Sequence, residues 1–241
     1  MKQRAQNDNE IKAYFDRWHI YHLIIQNDYM AHRGIHEALR GSLLASRQSP
    51  FSIMDLGCGD GSVIVRTLRG LPVREYVGID LSRAALEEAK KSFADSTFRL
   101  MFVESNFSEH LARPETEKVD VVIAGFAVHH LTNEEKPIFF SDCFDKLSGG
   151  GDLYLYDIFC RPGESRAQFL ESYCKKLESN WTELSVEEQT STCEHVRNCD
   201  FPATYDVLSA FARQAGFRTP PEPDYADDDG FHCLCHFKGQ G

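Results

Sequence analysis

The residues most able to carry chemistry lie between positions 51 and 80, which read FSIMDLGCGDGSVIVRTLRGLPVREYVGID. An apolar run leads into three glycines at alternate positions, then into an apolar-rich helical stretch and a second apolar run. The three are Gly57, Gly59 and Gly61. Glycines at a strand-to-helix turn let the backbone approach a ligand closely, because no Cβ is in the way. The order strand, glycine turn, helix, strand predicts one mononucleotide-binding βαβ unit.

Two carboxylates flank the glycine turn. Asp80 ends the second strand, where an acid can accept hydrogen bonds from both hydroxyls of a ribose. Asp55 lies inside the first strand, where an anion would repel a pyrophosphate and attract an ammonium group. A dinucleotide fingerprint needs its third glycine at the position of Ser62, whereas Gly61 comes one residue early. The residues therefore favour a nucleoside-containing cofactor with an amino group and without a pyrophosphate.

Several segments resemble class I S-adenosylmethionine (SAM) methyltransferases. Residues 54–62, MDLGCGDGS, are similar to the first motif of that family, an acid followed by x-Gly-x-Gly-x-Gly. Residues 120–131 resemble the fourth strand with the HHL loop after it, and residues 147–157 resemble the entry to the fifth strand. The spacing of apolar residues predicts a helix over residues 133–147, ended by the glycines at 149–151, and another helix over residues 205–215, ended by Gly216. The resemblance covers residues 52–238 with an interruption at 159–202. It implies a Rossmann-like α/β fold: a mostly parallel seven-stranded sheet of order 3-2-1-4-5-7-6, an antiparallel last strand, helices on both faces and a helical lid.

The same resemblance assigns residues to SAM and to its product, S-adenosylhomocysteine. Asn106 takes the place of an Asp that commonly holds the adenine amino group, and its side-chain carbonyl can accept the same hydrogen bond. Phe107 is expected either to stack on the purine or to belong to the core. Arg33 could hold the carboxylate of SAM or of a substrate. The predicted cofactor set is Arg33, Asp55, Gly57, Cys58, Gly59, Asp80, Leu81, Asn106, Phe107, Ala124, Gly125 and Phe126.

Composition favours a single soluble α/β domain of 241 residues. The formal net charge of −11, from 26 basic and 37 acidic residues, argues against general nucleic-acid binding, which depends on Lys and Arg. The polar start MKQRAQNDNE does not look like a signal peptide. The longest apolar stretch, residues 121–131, is shorter than the about 20 residues that span a bilayer. We therefore expect a cytoplasmic enzyme outside the membrane, and we leave its oligomeric state open, a homodimer included.

The cysteines predict free thiols rather than a metal site. There are eight of them, and a chain without an export signal is expected to keep them reduced. The tail His232-Cys-Leu-Cys-His236, with Cys193, His195 and Cys199, suggests metal ligands. Its spacing does not fit a zinc motif, in which two to four residues separate paired ligands. We therefore expect no metal.

Two segments outside the core are expected to enclose the substrate. The first segment is helical, with a break near Asn27 or Gly34, and one of its faces is rich in aromatic and histidine side chains. That face consists of Tyr14, Trp18, Tyr21, Ile25, Tyr29, His32 and His36. The second segment contains two predicted helices of a substrate lid, residues 164–177 and 185–198, and Ser185 with Glu188 forms a predicted capping box at the start of the second helix. The chain thus divides into a helical cover, a SAM-binding core and a lid: residues 1–48, 49–158 with 203–241, and 159–202.

The resemblance also defines the reaction. The methyl group of SAM is activated by its positive sulfur, so the protein mainly has to orient two reactants and exclude water. A hydroxyl or a protonated amine as acceptor needs a base, for which histidine is suited near neutral pH; a carboxylate acceptor needs none. We predict His129 and His195 as catalytic residues. The residues predicted to bind the substrate are Tyr29, His130, Arg197 and Tyr205.

The leading hypothesis is a methyltransferase that acts on an oxygen, a nitrogen or a carboxylate of a small molecule. Methylation of tRNA or of a protein side chain is an alternative, as is a non-catalytic SAM-binding protein. An NAD-dependent oxidoreductase is disfavoured by Asp55, by the displaced third glycine and by the lack of a hydride-transfer constellation in the sequence.

Overall fold

A computed structural model describes residues 18–114 and 117–240 of the chain. The strands in these residues are β1 (Phe51–Leu56), β2 (Val73–Asp80), β3 (Arg99–Glu104), β4 (Val119–Gly125), β5 (Leu147–Cys160), β6 (Ala203–Thr204), β7 (Tyr225–Ala226) and β8 (His232–Lys238). Their order is β3-β2-β1-β4-β5-β8-β7, with β6 paired separately beside β5. Strands β1 to β5 pair with one another in parallel, whereas β8 is antiparallel to β5 and to β7.

The predicted fold class is confirmed, and the strand count needs a small correction from seven to eight. The additional strand is β6, two residues that pair with Phe159 and Cys160 at the carboxyl end of β5. Without β6, the order is the predicted one. The penultimate strand, β7, begins only after Pro223, because proline cannot donate to a strand ladder.

The helices are α1 (Trp18–Gln26), α2 (His32–Ser46), α3 (Ile64–Leu68), α4 (Arg83–Ser92), α5 (Phe107–Leu111), α6 (Lys136–Lys146), α7 (Arg166–Asn180), α8 (Val186–Cys199) and α9 (Tyr205–Ala215), with a 3₁₀ turn at Val128–His130. Helix α9 has the predicted bounds and ends at Gly216, whose φ of 109° suits glycine. The predicted capping box of Ser185 and Glu188 is present at the start of α8. Gly149 to Gly151, predicted to end a helix, instead belong to β5.

The apolar core lies on both faces of the sheet. Successive residues of β4 alternate between the two sides: Val122 and Ala124 pack with helices α6 and α9, whereas Val121 and Ile123 pack with α2 and α3. This burial on both sides explains why the strand is continuously apolar. No helix among residues 18–114 and 117–240 is long and apolar enough to cross a membrane.

The N-terminal helices separate at residues 27–31, so the break near Asn27 is confirmed and the one at Gly34 is wrong. Gly34 lies inside α2, where an added Cβ would come within 2.4 Å of the Tyr225 hydroxyl oxygen. Helix α1 packs through Ile20 and Ile24 against the lid helices, α7 and α8. Tyr14 lies outside the described residues. All eight cysteines are buried, and none of them forms a disulfide bond.

Candidate active site

The larger of two adjoining cavities, about 150 Å³ in volume, opens at the carboxyl ends of β1, β2 and β4. Ligands of open α/β sheets bind at this edge, where the strand order reverses. Asp55 and Asp80 line the cavity together with the glycine turn, and Phe126 and Tyr156 form part of the opposite wall. The residues of the first motif therefore converge on one space.

The backbone of the glycine turn needs glycine for geometric reasons. The φ angles of Gly57, Gly59 and Gly61 are 75°, 55° and 64°, all in the left-handed region that favours glycine. The turn is held to β2, because the amides of Gly57 and Cys58 both donate to the carbonyl oxygen of Ile79, at 2.8 and 3.0 Å. A rigid, Cβ-free wall results.

Asp80 is positioned by two backbone amides. Its Oδ2 accepts from the Gly59 amide at 2.9 Å and its Oδ1 accepts from the Ser82 amide at 2.8 Å. These two bonds orient the carboxylate, which has about four acceptor positions in all. The half-buried carboxylate therefore suits the paired hydroxyls of a ribose.

Asp55 is 2% exposed, and the Tyr76 hydroxyl donates to its Oδ2 at 2.6 Å. Burial raises the pKa of this carboxyl from 3.8 to about 7; the hydrogen bond from Tyr76 opposes the increase, and the charge of Asp80 adds to it. A cationic ligand group next to Asp55 would favour the ionised form of the carboxyl and pair with it.

The shifted pKa of Asp55 predicts how stability depends on pH. From about pH 4 to about pH 7 the folded chain keeps a proton that the unfolded chain has released, so the free energy of unfolding falls as pH rises. From pH 5 to pH 8 we expect the free energy of unfolding of the parent to fall by roughly 3 kcal/mol more than that of Asp55→Asn. Urea unfolding of the ligand-free proteins at both pH values measures it. Parallel pH profiles of the two proteins would contradict the prediction.

A smaller cavity of about 70 Å³ lies next to the first and shares three wall residues with it: Tyr21, His32 and Phe126. Tyr173, Trp181 and Val196 of the lid region enclose it, and His129, His195 and Asp200 line it as well. The structure thus brings together the two histidines predicted as catalytic.

His129 is held by two carboxylates. Its Nδ1 and its backbone amide both bond to Asp157, the amide at 2.9 Å, and its Nε2 lies 3.7 Å from Oδ1 of Asp200. Burial alone would lower the pKa of His129, but the charges of Asp157 and Asp200 and the hydrogen bond outweigh it, so the pKa lies above 6.5. His195 Nε2 lies 4.0 Å from the same oxygen of Asp200.

The other residues predicted for the cofactor lie partly in the larger cavity. Cys58, Leu81, Phe107 and Gly125 line it. The Asn106 side chain does not; it caps α5 by accepting from the amides of Ser108 and Glu109, at 2.9 and 3.3 Å. Ala124 is buried in the core. Phe107 also packs edge-on against Phe139, with 6.0 Å between ring centroids, so it belongs to the core and to the wall.

Of the residues predicted for the substrate, His130 lines the larger cavity and three others lie outside both linings. The Tyr205 hydroxyl donates to the Pro220 carbonyl oxygen at 2.8 Å. Tyr29 stacks on Trp181 at 5.2 Å and reaches the smaller cavity only through that ring. Arg197 is exposed at the end of α8.

Arg33, predicted to hold a carboxylate of SAM or of a substrate, points to solvent. Its side chain is 75% exposed and pairs with Asp28 at 3.4 Å. The neighbouring residue on α2, His32, is the one that faces inward.

His32 lines both cavities, although the sequence predicted no role for it at the site. It is 7% exposed, and no hydrogen-bond partner of its Nδ1 is found among the described residues. Burial, with the neighbouring His36 and His232, lowers the pKa of His32 to about 3, so the ring is neutral. The spacing of the N-terminal helices did place His32 on the inward face, but spacing cannot distinguish a core position from a cavity wall.

The sequence is similar to methyltransferase domains and to a protein named for its SAM-derived product. Residues 53–151 match the family model described as a methyltransferase domain. Carboxy-S-adenosyl-L-methionine synthase of Idiomarina loihiensis is 22% identical over 171 residues, which are 69% of this chain and 68% of that protein.

Solved structures share the fold at low sequence identity. Magnesium protoporphyrin IX methyltransferase of Synechocystis PCC 6803 with bound SAM gives a TM-score of 0.65 at 14% identity, over 97% of both chains. The cyclopropane synthase MmaA2 of Mycobacterium tuberculosis gives 0.52 at 20% identity, over 71% of this chain; the match covers just over half of that protein, 56%. Residues 53–151, which contain the glycine turn and its two carboxylates, thus match a methyltransferase domain, and the fold around them is shared with solved SAM-dependent methyltransferase structures.

Proposed function

We propose that this protein transfers a methyl group from SAM, bound in the larger cavity, to a small molecule bound in the smaller one. The observation that carries the proposal is the shared wall of Tyr21, His32 and Phe126, through which the two cavities adjoin. A cofactor and an acceptor in these cavities would meet in a space enclosed by α1 and the lid helices. Holding two reactants in this way can lower the activation free energy by ~7–11 kcal/mol.

The residues of the larger cavity fit SAM. Asp80 would accept hydrogen bonds from the ribose hydroxyls, and Asp55 would face the ammonium of the amino acid tail. The glycine turn allows the close approach that both contacts need. When bound, SAM supplies a methyl group that its positive sulfur has already activated.

The residues of the smaller cavity would orient the acceptor. The neutral His32 offers Nδ1 at the junction of the two cavities, where it can form a hydrogen bond to an acceptor hydroxyl or amine. His195 is our candidate to receive the acceptor's proton, because it lines the smaller cavity, whereas the ring of His129 is already bonded to Asp157. A carboxylate acceptor would use only the orienting contacts.

Filling the smaller cavity should separate acceptor binding from cofactor binding. Val196→Trp places a large ring in that cavity, so we expect most methyl transfer to be lost while the dissociation constant for SAM is unchanged. Val186→Trp is the matched control, because Val186 lies on the same helix and is 73% exposed. Calorimetric titration with SAM and a transfer assay with the identified acceptor measure the two effects. Equal activity of both variants would place the acceptor elsewhere.

The proposal is tested by incubating the protein with methyl-labelled SAM and separated fractions of a cell extract. Label in a small-molecule fraction, absent for Asp80→Ala, is the expected result. Label confined to RNA or protein fractions would overturn the small-molecule acceptor; a net charge of −11 and an enclosed second cavity both weigh against a nucleic acid. SAM binding without transfer to any fraction would indicate a non-catalytic SAM-binding protein.

A further inference from the structure

Three side chains between the core and the lid have the arrangement of metal ligands. His129 and His130 come from the 3₁₀ turn after β4, and Asp200 follows the last residue of α8. One ligand atom from each of the three lies within 4.8 Å of the others. We refer to these residues as the His-His-Asp centre.

The distances match those of a bound ion. Oδ1 of Asp200 lies 3.2 Å from Nδ1 of His130 and 3.7 Å from Nε2 of His129. Ligand atoms placed about 2.0–2.1 Å from a tetrahedral zinc ion are themselves separated by roughly 3.4 Å. An ion could therefore bind to these three atoms with little movement of the backbone.

A second observation concerns the hydrogen bond behind His129. Its Nδ1 bonds to Asp157, and its backbone amide donates to the same carboxylate. Metal-binding histidines almost always donate their other ring N–H to a carboxylate or a carbonyl, which fixes the tautomer and the ring orientation. Asp157 thus directs Nε2 of His129 toward Asp200 as an acceptor atom whenever the ring is neutral.

The donor set and its surroundings define the class of ion. Two imidazole nitrogens and one carboxylate oxygen suit zinc and its neighbours among the transition metals, whereas magnesium and calcium prefer oxygen ligands. His129 and Asp200 also line the smaller cavity, so a fourth coordination position would face the acceptor. Catalytic sites of this kind have three protein ligands and leave one position for water or substrate.

We propose that the His-His-Asp centre binds one divalent transition-metal ion, with an open position toward the smaller cavity. Binding requires His129 to lose its proton and His130 to carry its proton on Nε2. His130 then gives up the 3.3 Å contact from Nδ1 to the Cys199 carbonyl. The ion would join the lid to the core. Binding of the ion does not depend on the proposed function. Only the role of the open coordination position, which would face the acceptor, rests on it.

The test uses purified full-length protein treated with a chelator and then titrated with Zn²⁺ and with Co²⁺, without SAM or acceptor. We expect one tightly bound Zn²⁺ per chain and visible d–d absorption of Co²⁺ in a site of low coordination number. Asp200→Asn and His130→Ala should remove both signals. Asp157→Asn, which leaves all three ligands in place, should weaken Zn²⁺ binding by about 10–100-fold.

His110→Ala is the control, because His110 is a buried histidine of α5 outside the centre; it should bind one ion as the parent does. Circular dichroism of each variant checks that it is folded, and Asp157→Asn serves as the second measurement if Asp200→Asn does not fold. Absence of stoichiometric Zn²⁺ binding by the parent would overturn the proposal, as would unchanged binding in Asp200→Asn. In either case the contacts of His129 with Asp157 and Asp200 would serve only to join the lid to the core.

Discussion

Replacement of Asp80 by alanine is expected to weaken SAM binding by about 10²–10⁴-fold. Two hydrogen bonds from ribose hydroxyls to an ionised acceptor are worth about 1.5–3 kcal/mol each. The same change also releases the amides of Gly59 and Ser82, which the carboxylate holds at 2.9 and 2.8 Å, so the glycine turn loses an anchor. Calorimetric titration with SAM measures the effect.

The matched control for this change is Asp95→Ala, which removes an exposed carboxylate after α4 and should leave the affinity unchanged. Thermal melting of both variants separates a local effect at the site from a general loss of stability. If Asp80→Ala bound SAM as tightly as the parent while folded, the ribose would have to bind elsewhere. The assignment of the larger cavity to SAM would then be wrong.

Replacement of Gly61 by alanine is expected to lower the free energy of unfolding by about 2–5 kcal/mol. The left-handed φ of 64° costs an alanine roughly 1–2 kcal/mol. The new Cβ would lie 2.5 Å from a ring carbon of Phe93, which is fully buried and cannot swing into solvent. Relief of such overpacking costs typically about 1–3 kcal/mol more.

Gly70→Ala separates the cost of the left-handed backbone from the cost of overpacking against Phe93. Gly70 has a φ of 76°, and nothing lies within 4 Å of an added Cβ, so only the cost of the left-handed backbone remains. Urea unfolding should place Gly70→Ala about 1–2 kcal/mol below the parent and Gly61→Ala clearly lower. Equal losses would show that the ring of Phe93 moves aside at little cost.

Local patterns were enough to predict most of the fold. The apolar run of β4, the glycine turn and the capping box at Ser185 each depend on neighbours in the sequence, and all three are found. The two-residue strand β6 has no pattern of its own, because it exists only by pairing with the end of β5. The glycines at 149–151 were assigned wrongly, because a run of glycines can end a helix or lie in a strand.

Predicted site residues beside the glycine motif do line the larger cavity. Predicted residues whose side-chain direction depends on tertiary packing do not. Asp55 and Asp80 end or adjoin strands whose carboxyl ends meet, so topology alone brings them to one cavity. Arg33 and His32 are adjacent on α2, and one residue of rotation sends the first to solvent and the second to the cavity. Asn106 had a local alternative, since asparagine is well suited to cap a helix.

The proximity of Asp200 to His129 and His130 could not be inferred from spacing, because about 70 residues of the core and the lid separate them in the sequence. It follows from the return of the chain from α8 to β6, beside the end of β5. Asp157, near the end of the same strand, contacts His129 from the other side.

Because every cysteine is buried, thiol-selective probes should label the native protein only slowly. Reagents of this kind attack the thiolate, and burial raises the pKa of most of these thiols, that of Cys160 to about 11 and those of Cys193 and Cys233 to about 12. A single cysteine introduced at the exposed position 186 would therefore be the dominant labelling site. A fluorophore or spin label attached there would report on the surroundings of helix α8 with little signal from the native thiols.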